Sequence, residues 1–271
     1  MPTSPIDLIA LDLDGTLLGP DESVSPQNRA AISRVLDAGI RVVLVTGRGV
    51  DTPIRVSRDL GLNLPVICCH GALTKDFGAN RTLVHIPVPL VHAKPMIEFA
   101  EAQKLAVAVY VDERFYRLKG SQIFMEDMRG PGWEETVSLR ELLTQPPTFI
   151  RFLGEEAVER MLARFGDLPL SFRHETWFDF VEVAVLNREA SKKNALAKLC
   201  ADFQIPSERV LAIGDSRNDV PMLRWAGIGV AMGNALPEVR DAVRYVTASN
   251  DRDGVALAIE RFVPLQRKKS A

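Results

Sequence analysis

The chain has 271 residues, with 33 Lys plus Arg against 35 Asp plus Glu and a formal charge of -2 at pH 7. Hydrophobic residues at 46% and charged residues at 25% are ordinary for a globular chain, which excludes disordered, collagen-like and coiled-coil composition. The balanced charge offers no global field for nucleic acid or anionic lipid, and no apolar run approaches the roughly 20 residues that a membrane span requires. Asp7, Asp12 and Asp14 interrupt the first apolar stretch, so it does not read as a secretory signal. Cys68, Cys69 and Cys200 are odd in number and lack ligand spacing, a pattern that suits reduced thiols in the cytoplasm. The expectation is a cytoplasmic protein of one large or two modest domains.

Residues 8–11 form a continuous apolar run ending at Asp12, the pattern of a strand buried on both faces. Ser25 and Pro26 supply an N-cap and a first-turn proline for a helix. Its Ile32, Val35 and Leu36 keep helical spacing, and Gly39 stops it. Residues 40–45 read as a second buried strand, a helix follows to Gly61, and residues 65–69 read as a third strand. Alternation at these lengths implies parallel strands with right-handed crossovers. From about Thr82 to Leu186 the regularity fades. Helices are expected near 93–103 and 155–165 and strands at 106–111 and 149–153. Residues 170–177 with 178–185 read as an antiparallel hairpin, with Trp177, Phe178 and Phe180 as its core. The parallel grammar then returns, with helices at 191–203, around 221–225 and at 255–262, and strands at 210–213, 228–232 and 245–248. The basic tail Arg267-Lys268-Lys269 reads as solvated. The expected fold is α/β: residues 1–82 plus 187–271 form a Rossmann-like parallel-sheet core, and residues 83–186 form an inserted α+β domain. Linkers are expected near 81–89 and 184–190.

Ligands of open parallel sheets bind outside the carboxyl ends of strands, and three such ends carry acidic or hydroxylic residues: Asp12 and Asp14, Thr46, and Asp215 followed by Asp219. The spacing of two places Asp12 and Asp14 on one face of a strand end, and Gly15 permits the turn that follows. Two carboxylates beside a buried run need a partner to offset desolvation, and a hard cation with oxygen ligands supplies it, magnesium being common where phosphate is the substrate. A carboxylate is also ionised and nucleophilic at pH 7 without a helping base; the bland alternative is an Asp-Gly turn. Asp215 and Asp219, four apart at a helix start, share one side of their loop, although two acids there equally suit the helix dipole. Thr46-Gly47-Arg48 offers a hydroxyl, a backbone N–H and a cation for a phosphate, or makes an ordinary strand-to-helix turn. Lys192 and Lys193 oppose the dipole of the helix they open and call for compensation by Glu189 or by a bound phosphoryl group. Gly227, Gly229 and Gly233 carry one residue too many for a dinucleotide fingerprint and read as strand and turn. His70, His85, His92 and His174 are scattered without metal spacing, and no Gly-x-Ser-x-Gly elbow occurs.

In this order and on these elements, the segments resemble the haloacid dehalogenase (HAD) superfamily of phosphatases. The whole chain is similar to its Cof-type branch, in which an α/β cap is inserted between the second and third motifs. Ala10-Leu11-Asp12-Leu13-Asp14-Gly15-Thr16-Leu17-Leu18 matches the first motif and Thr46-Gly47-Arg48 the second. Lys192 in Ser191-Lys192-Lys193-Asn194-Ala195-Leu196 matches the third, and Gly214-Asp215-Ser216-Arg217-Asn218-Asp219 the fourth. Met232-Gly233-Asn234-Ala235 and Asp251-Arg252-Asp253-Gly254-Val255 resemble the branch's closing signatures. The resemblance implies a magnesium-dependent phosphatase acting on a small phosphorylated metabolite through an aspartyl phosphate. Asp12 would be the nucleophile, Asp14 the acid and then the base, and Lys192 the catalytic cation. Magnesium would be held by Asp12, the Asp14 backbone carbonyl, Asp215 and Asp219. Backbone N–H groups near Leu13 and Gly47, with Thr46, Lys192 and Asn218, would hold the phosphoryl oxygens, and Arg48 belongs to the same phosphate-binding segment. The inserted cap would set specificity in a monomer or homodimer. Lys193 stands where the branch usually has glycine and His70 where it usually has Asn before Gly-Ala, and altered cap or substrate contacts are expected there. A phosphosugar mutase or other phosphotransferase shares the chemistry. A non-catalytic phosphometabolite-binding protein is the rival of another class, and the combination of Asp12, Asp14, Lys192 and Asp215 argues against it.

Overall fold

The computed structural model describes residues 5–119, 133–177 and 180–264. The chain opens with β1 (Leu8–Leu11), α1 (Pro26–Asp37), β2 (Arg41–Leu44), α2 (Asp51–Asp59), β3 (Val66–Cys68), β4 (Leu73–Asp76) and β5 (Arg81–His85). It continues through α3 (Leu90–Ala102), β6 (Val107–Val111), β7 (Arg114–Leu118), β8 (Trp133–Thr136), α4 (Leu139–Leu142), β9 (Phe149–Leu153), α5 (Glu155–Phe165), β10 (Leu170–Trp177) and β11 (Phe180–Asn187). It closes with α6 (Lys192–Asp202), β12 (Val210–Gly214), α7 (Val220–Trp225), β13 (Ile228–Ala231), α8 (Pro237–Asp241), β14 (Tyr245–Val246) and α9 (Gly254–Phe262). Two compact units result, one of residues 1–48, 52–83 and 191–271 and the other of residues 49–51 and 84–190.

The first unit is built on a parallel sheet of order β14-β13-β12-β1-β2. β1 pairs on both sides, with β12 and with β2, which is why Leu8–Leu11 shows no polar alternation. Ile9, Leu11, Val42, Leu44, Leu211 and Ile213 face α1 and α9, meeting Ile32, Val35, Val255 and Ile259. Leu8, Ala10, Val43, Val210 and Ala212 face α6 and α7, meeting Leu196, Leu199, Met222 and Leu223. Each large apolar side chain buried this way contributes about 1.5–3 kcal/mol. Both faces being covered, polar groups collect at the carboxyl ends. The predicted caps form: Ser25 Oγ accepts from Asn28 N at 3.1 Å, and Ser191 Oγ from Asn194 N at 3.0 Å.

The third expected strand departs from the reading. β3 pairs antiparallel with β4 in a separate sheet of order β3-β4-β5 and touches the parallel sheet through a bridge between Val45 and Ile67. The expected linkers are partly strand, since residues 81–85 form β5 and β11 runs on to Asn187.

The second unit carries a six-stranded sheet of order β10-β11-β9-β6-β7-β8. Val107, Val109 and Val111 of β6, Ile150 and Phe152 of β9, and Val183 and Val185 of β11 bury against Met96, Ile97, Ala157 and Met161 of α3 and α5. The opposite face of this sheet holds the Arg151–Glu182 ion pair and the stacked rings of Phe115 and Trp133. β10 and β11 form the expected hairpin, pairing Trp177 with Phe180. Phe178 and the basic tail lie outside the described residues, as do the side chains of Trp177 and Phe180. No helix among the described residues is long and apolar enough to cross a membrane.

Candidate active site

The site grows from the carboxyl ends of three adjacent strands in the first unit. Asp12 N donates to Ile213 O at 3.1 Å and Val45 N to Leu11 O at 2.9 Å, so the ladders carry on one step past β1 and bring Asp12, Thr46 and Asp215 to neighbouring strand ends. Asp12, Lys192 and Asp219 are all buried, with Asp12 3% exposed. Ser191 caps α6 and delivers Lys192 at its first position. The Lys192 ammonium donates to Asp12 Oδ1 at 2.6 Å and to Asp219 Oδ1 at 2.7 Å. Asp219 Oδ2 accepts from the backbone N–H groups of Asp215 (3.2 Å) and Ser216 (3.0 Å), which folds the fourth motif onto its own acid. Thr16 Oγ1 donates to Asp215 Oδ1 at 3.0 Å. Gly15 has φ of +69°, and a Cβ there would lie 2.3 Å from Asp215 Oδ2, so only glycine allows this close approach.

Asp12, Asp215 and Asp219 each offer a carboxylate oxygen, and these oxygens lie within 4.8 Å of one another. Three carboxylates share one ammonium. Burial pushes the Asp12 carboxyl well above its ordinary value, Lys192 opposing and Asp219 and Asp215 reinforcing the rise. Burial and then Asp219 push Asp215 up to about 6. Burial works against the Lys192 charge, but Asp12 and Asp219 outweigh it and hold the ammonium above the usual lysine range. The unmet negative charge and the hard oxygen donors fit a divalent cation.

Asp14 stands outside this cluster. The sequence places it on one face with Asp12, but β1 ends at Leu11, and Asp14 with Gly15 leaves regular geometry in the turn Leu13–Leu17. Its carboxylate receives Arg48 Nε at 2.9 Å and Arg48 Nη2 at 2.5 Å, and Arg48 Nη2 also donates to Glu22 at 2.7 Å. Arg48 is thus engaged by two carboxylates. Thr46 is buried, and its Oγ1 accepts from Arg48 N at 3.1 Å. The compensation demanded by Lys192 comes from Asp12 and Asp219 rather than from Glu189.

Cys69, His70 and Gly71 adopt left-handed backbone in succession, with φ of +52°, +56° and +93°. The turn is tied to the second motif, His70 N donating to Thr46 O at 3.0 Å and Cys69 N to Arg48 O at 2.9 Å. The buried His70 ring lies against Gly47 and sits 3.2 Å from the Asn218 amide. Sequence reading marked His70 as a departure but gave it no partner, and it gave Thr16 no role. The Thr16 signal was present in the first motif, whose hydroxyl follows the only residue that lets Asp215 come close.

The haloacid dehalogenase-like hydrolase profile matches residues 9–259. Pyridoxal phosphate phosphatase YbhA of Escherichia coli is 32% identical over 92% of this chain and 96% of its own length. The 5-amino-6-(5-phospho-D-ribitylamino)uracil phosphatase YitU of Bacillus subtilis is 29% identical over 98% of this chain and all of its own. A crystal structure of a haloacid dehalogenase-like hydrolase from Bacteroides thetaiotaomicron superimposes with a TM-score of 0.84 at 26% identity, covering 94% of this chain and 99% of that one. The fold and the family match together define a hydrolase built on a parallel sheet with an acidic centre. The chain belongs to the haloacid dehalogenase-like hydrolases, in their Cof-type branch, and is a phosphoric monoester hydrolase.

Proposed function

We propose that the chain is a magnesium-dependent, cytoplasmic phosphatase of small phosphorylated metabolites that works through a phosphoryl group carried on Asp12. The observation that carries this reading is Lys192 bridging Asp12 and Asp219 beside Asp215. Lys192 fixes Asp12 Oδ1 and balances part of its charge, leaving a carboxylate whose orientation is set before substrate arrives. An Asp12 oxygen attacks phosphorus as the bond to the leaving oxygen breaks, and Asp14 supplies the proton that oxygen needs. Water then attacks the phosphoaspartate, Asp14 takes its proton, and Asp12 leaves as a carboxylate with inorganic phosphate. Asp14 faces this chemistry when its contact with Arg48 gives way. Thr46, Asn218, Lys192 and the backbone N–H groups of Leu13 and Gly47 hold the phosphoryl oxygens.

Magnesium would be held by Asp12, Asp215, Asp219 and the Asp14 backbone carbonyl. When bound it neutralises charge on the phosphoryl oxygens. The names of the two curated relatives support a small metabolite as substrate. The four motifs recognise a phosphoryl group and nothing beyond it, so discrimination among leaving groups belongs to the second unit. Turnover of p-nitrophenyl phosphate tests the reading: chelator should abolish it and magnesium restore it. Calcium should support little, because its longer, looser coordination misplaces the reacting groups. Full activity in chelator would remove the metal from the mechanism.

A further inference from the structure

The closing signatures, Met232–Ala235 and the segment around 250–255, take no part in the chemistry above, yet they reach the turn that carries Asp14. Asn234 Nδ2 donates to Gly15 O at 2.8 Å, and Asn234 Oδ1 accepts from Asn250 N at 3.0 Å. Asn250 Nδ2 in turn donates to Leu18 O at 2.8 Å. A carbonyl only accepts and a backbone N–H only donates, so the orientation of both amides is dictated by their partners. The supporting loop is itself anchored to the sheet, Met232 N donating to Gly214 O and Gly233 N to Ala248 O, each at 3.0 Å.

The braced segment needs bracing. Asp14 (ψ 128°) and Gly15 (φ +69°) break helical geometry inside Leu13–Leu17, which ends on a wide i→i+5 bond from Leu18 N to Leu13 O at 2.9 Å. The two carbonyls gripped from outside belong to Gly15, within the irregular part and next to Asp14, and to Leu18, where the turn ends. We propose that Asn234 and Asn250 act together as positioning residues that fix the backbone of Asp14, and so the place of the leaving-group acid. This rests on the reading of Asp14 as that acid. Asn234 is exposed, so losing its bond costs little stability. Misplacing a catalytic group by about 1 Å can cost about 10²-fold in rate. Function should therefore move further than stability.

The test compares kcat/KM for p-nitrophenyl phosphate, whose leaving group departs without a proton, with phenyl phosphate, whose leaving group needs one. Asn234→Ala removes the donor, and Asn234→Asp sets an acceptor against Gly15 O; Asn250→Ala removes the second grip. Each should lower kcat/KM for phenyl phosphate about tenfold or more and leave p-nitrophenyl phosphate within about threefold. Thermal midpoints should stay within a few degrees. The Asn234→Ala/Asn250→Ala double variant should be no worse than the worse single, as expected of one device. Equal losses on both esters, or no loss, would overturn the inference. Asp14→Asn run alongside separates the two claims. If it shows the selective loss and the asparagine variants do not, the bracing falls alone; if it shows none, the acid assignment falls and takes the bracing with it.

Discussion

Asp215 is one residue, beside Asp12, through which pH acts on the metal-free protein. Its carboxyl is pushed up to about 6 by burial and by Asp219, against about 3.9 for an ordinary aspartate. A carboxyl that binds its proton more tightly when folded makes the folded state gain stability as pH falls between those two values. Relative to Asp215→Asn, the metal-free wild type should gain about 1–3 kcal/mol between pH 7 and pH 4, a range set by the two-unit shift. Urea unfolding at several pH values reads this difference directly. Magnesium should shrink it, since metal and proton compete for one carboxylate. A difference that stays flat with pH would show that the Asp215 proton is no tighter in the folded state. Asp12 and Asp215 were legible in the sequence because each ends a buried strand. The split between them and Asp14 was not, because it depends on the irregular turn that follows β1 and on Arg48 reaching from the end of another strand.

At the scale of elements, α6 is the least self-sufficient part of the site. A cation in the first turn of a helix opposes the dipole by about 0.3–1 kcal/mol, and Lys192 is also buried. Asp12 and Asp219 offset both costs. Lys192→Met should therefore lower metal-free stability by about 3–5 kcal/mol, the usual cost of stranding buried partners. Magnesium should restore part of that loss. Chemical denaturation with and without magnesium measures both, and unchanged metal-free stability would show that the ammonium is not what balances the two carboxylates. The buried parallel strands and their caps were readable because apolar runs such as Leu8–Leu11 and Val210–Gly214 carry a strong signal. β5, β7 and β8 were missed for a physical reason. Arg81–His85 is largely exposed, and Arg114–Leu118 and Trp133–Thr136 are only half-buried, with charged residues along them. Such strands are specified by their partners rather than by their own pattern.

At the scale of the whole molecule, every residue proposed for the phosphoryl chemistry falls in the first unit, and the proposal leaves the second free to differ. Replacing residues 84–190 by a short linker, once the product is shown to be folded, should leave slow hydrolysis of acetyl phosphate and erase the ranking among larger metabolites. A folded core that kept the parent's ranking would place specificity in the first unit. The covalent role of Asp12 remains the centre of the account. Asp14→Asn, mixed with magnesium and p-nitrophenyl phosphate and quenched in acid during turnover, should yield an Asp12-containing peptide heavier by one phosphoryl group, because the base that clears the intermediate is gone. Asp12→Asn should yield none, with turnover reduced by about four decades or more. An unmodified Asp12 peptide at every time point, while nitrophenolate is still released, would contradict the account and point to direct attack by water.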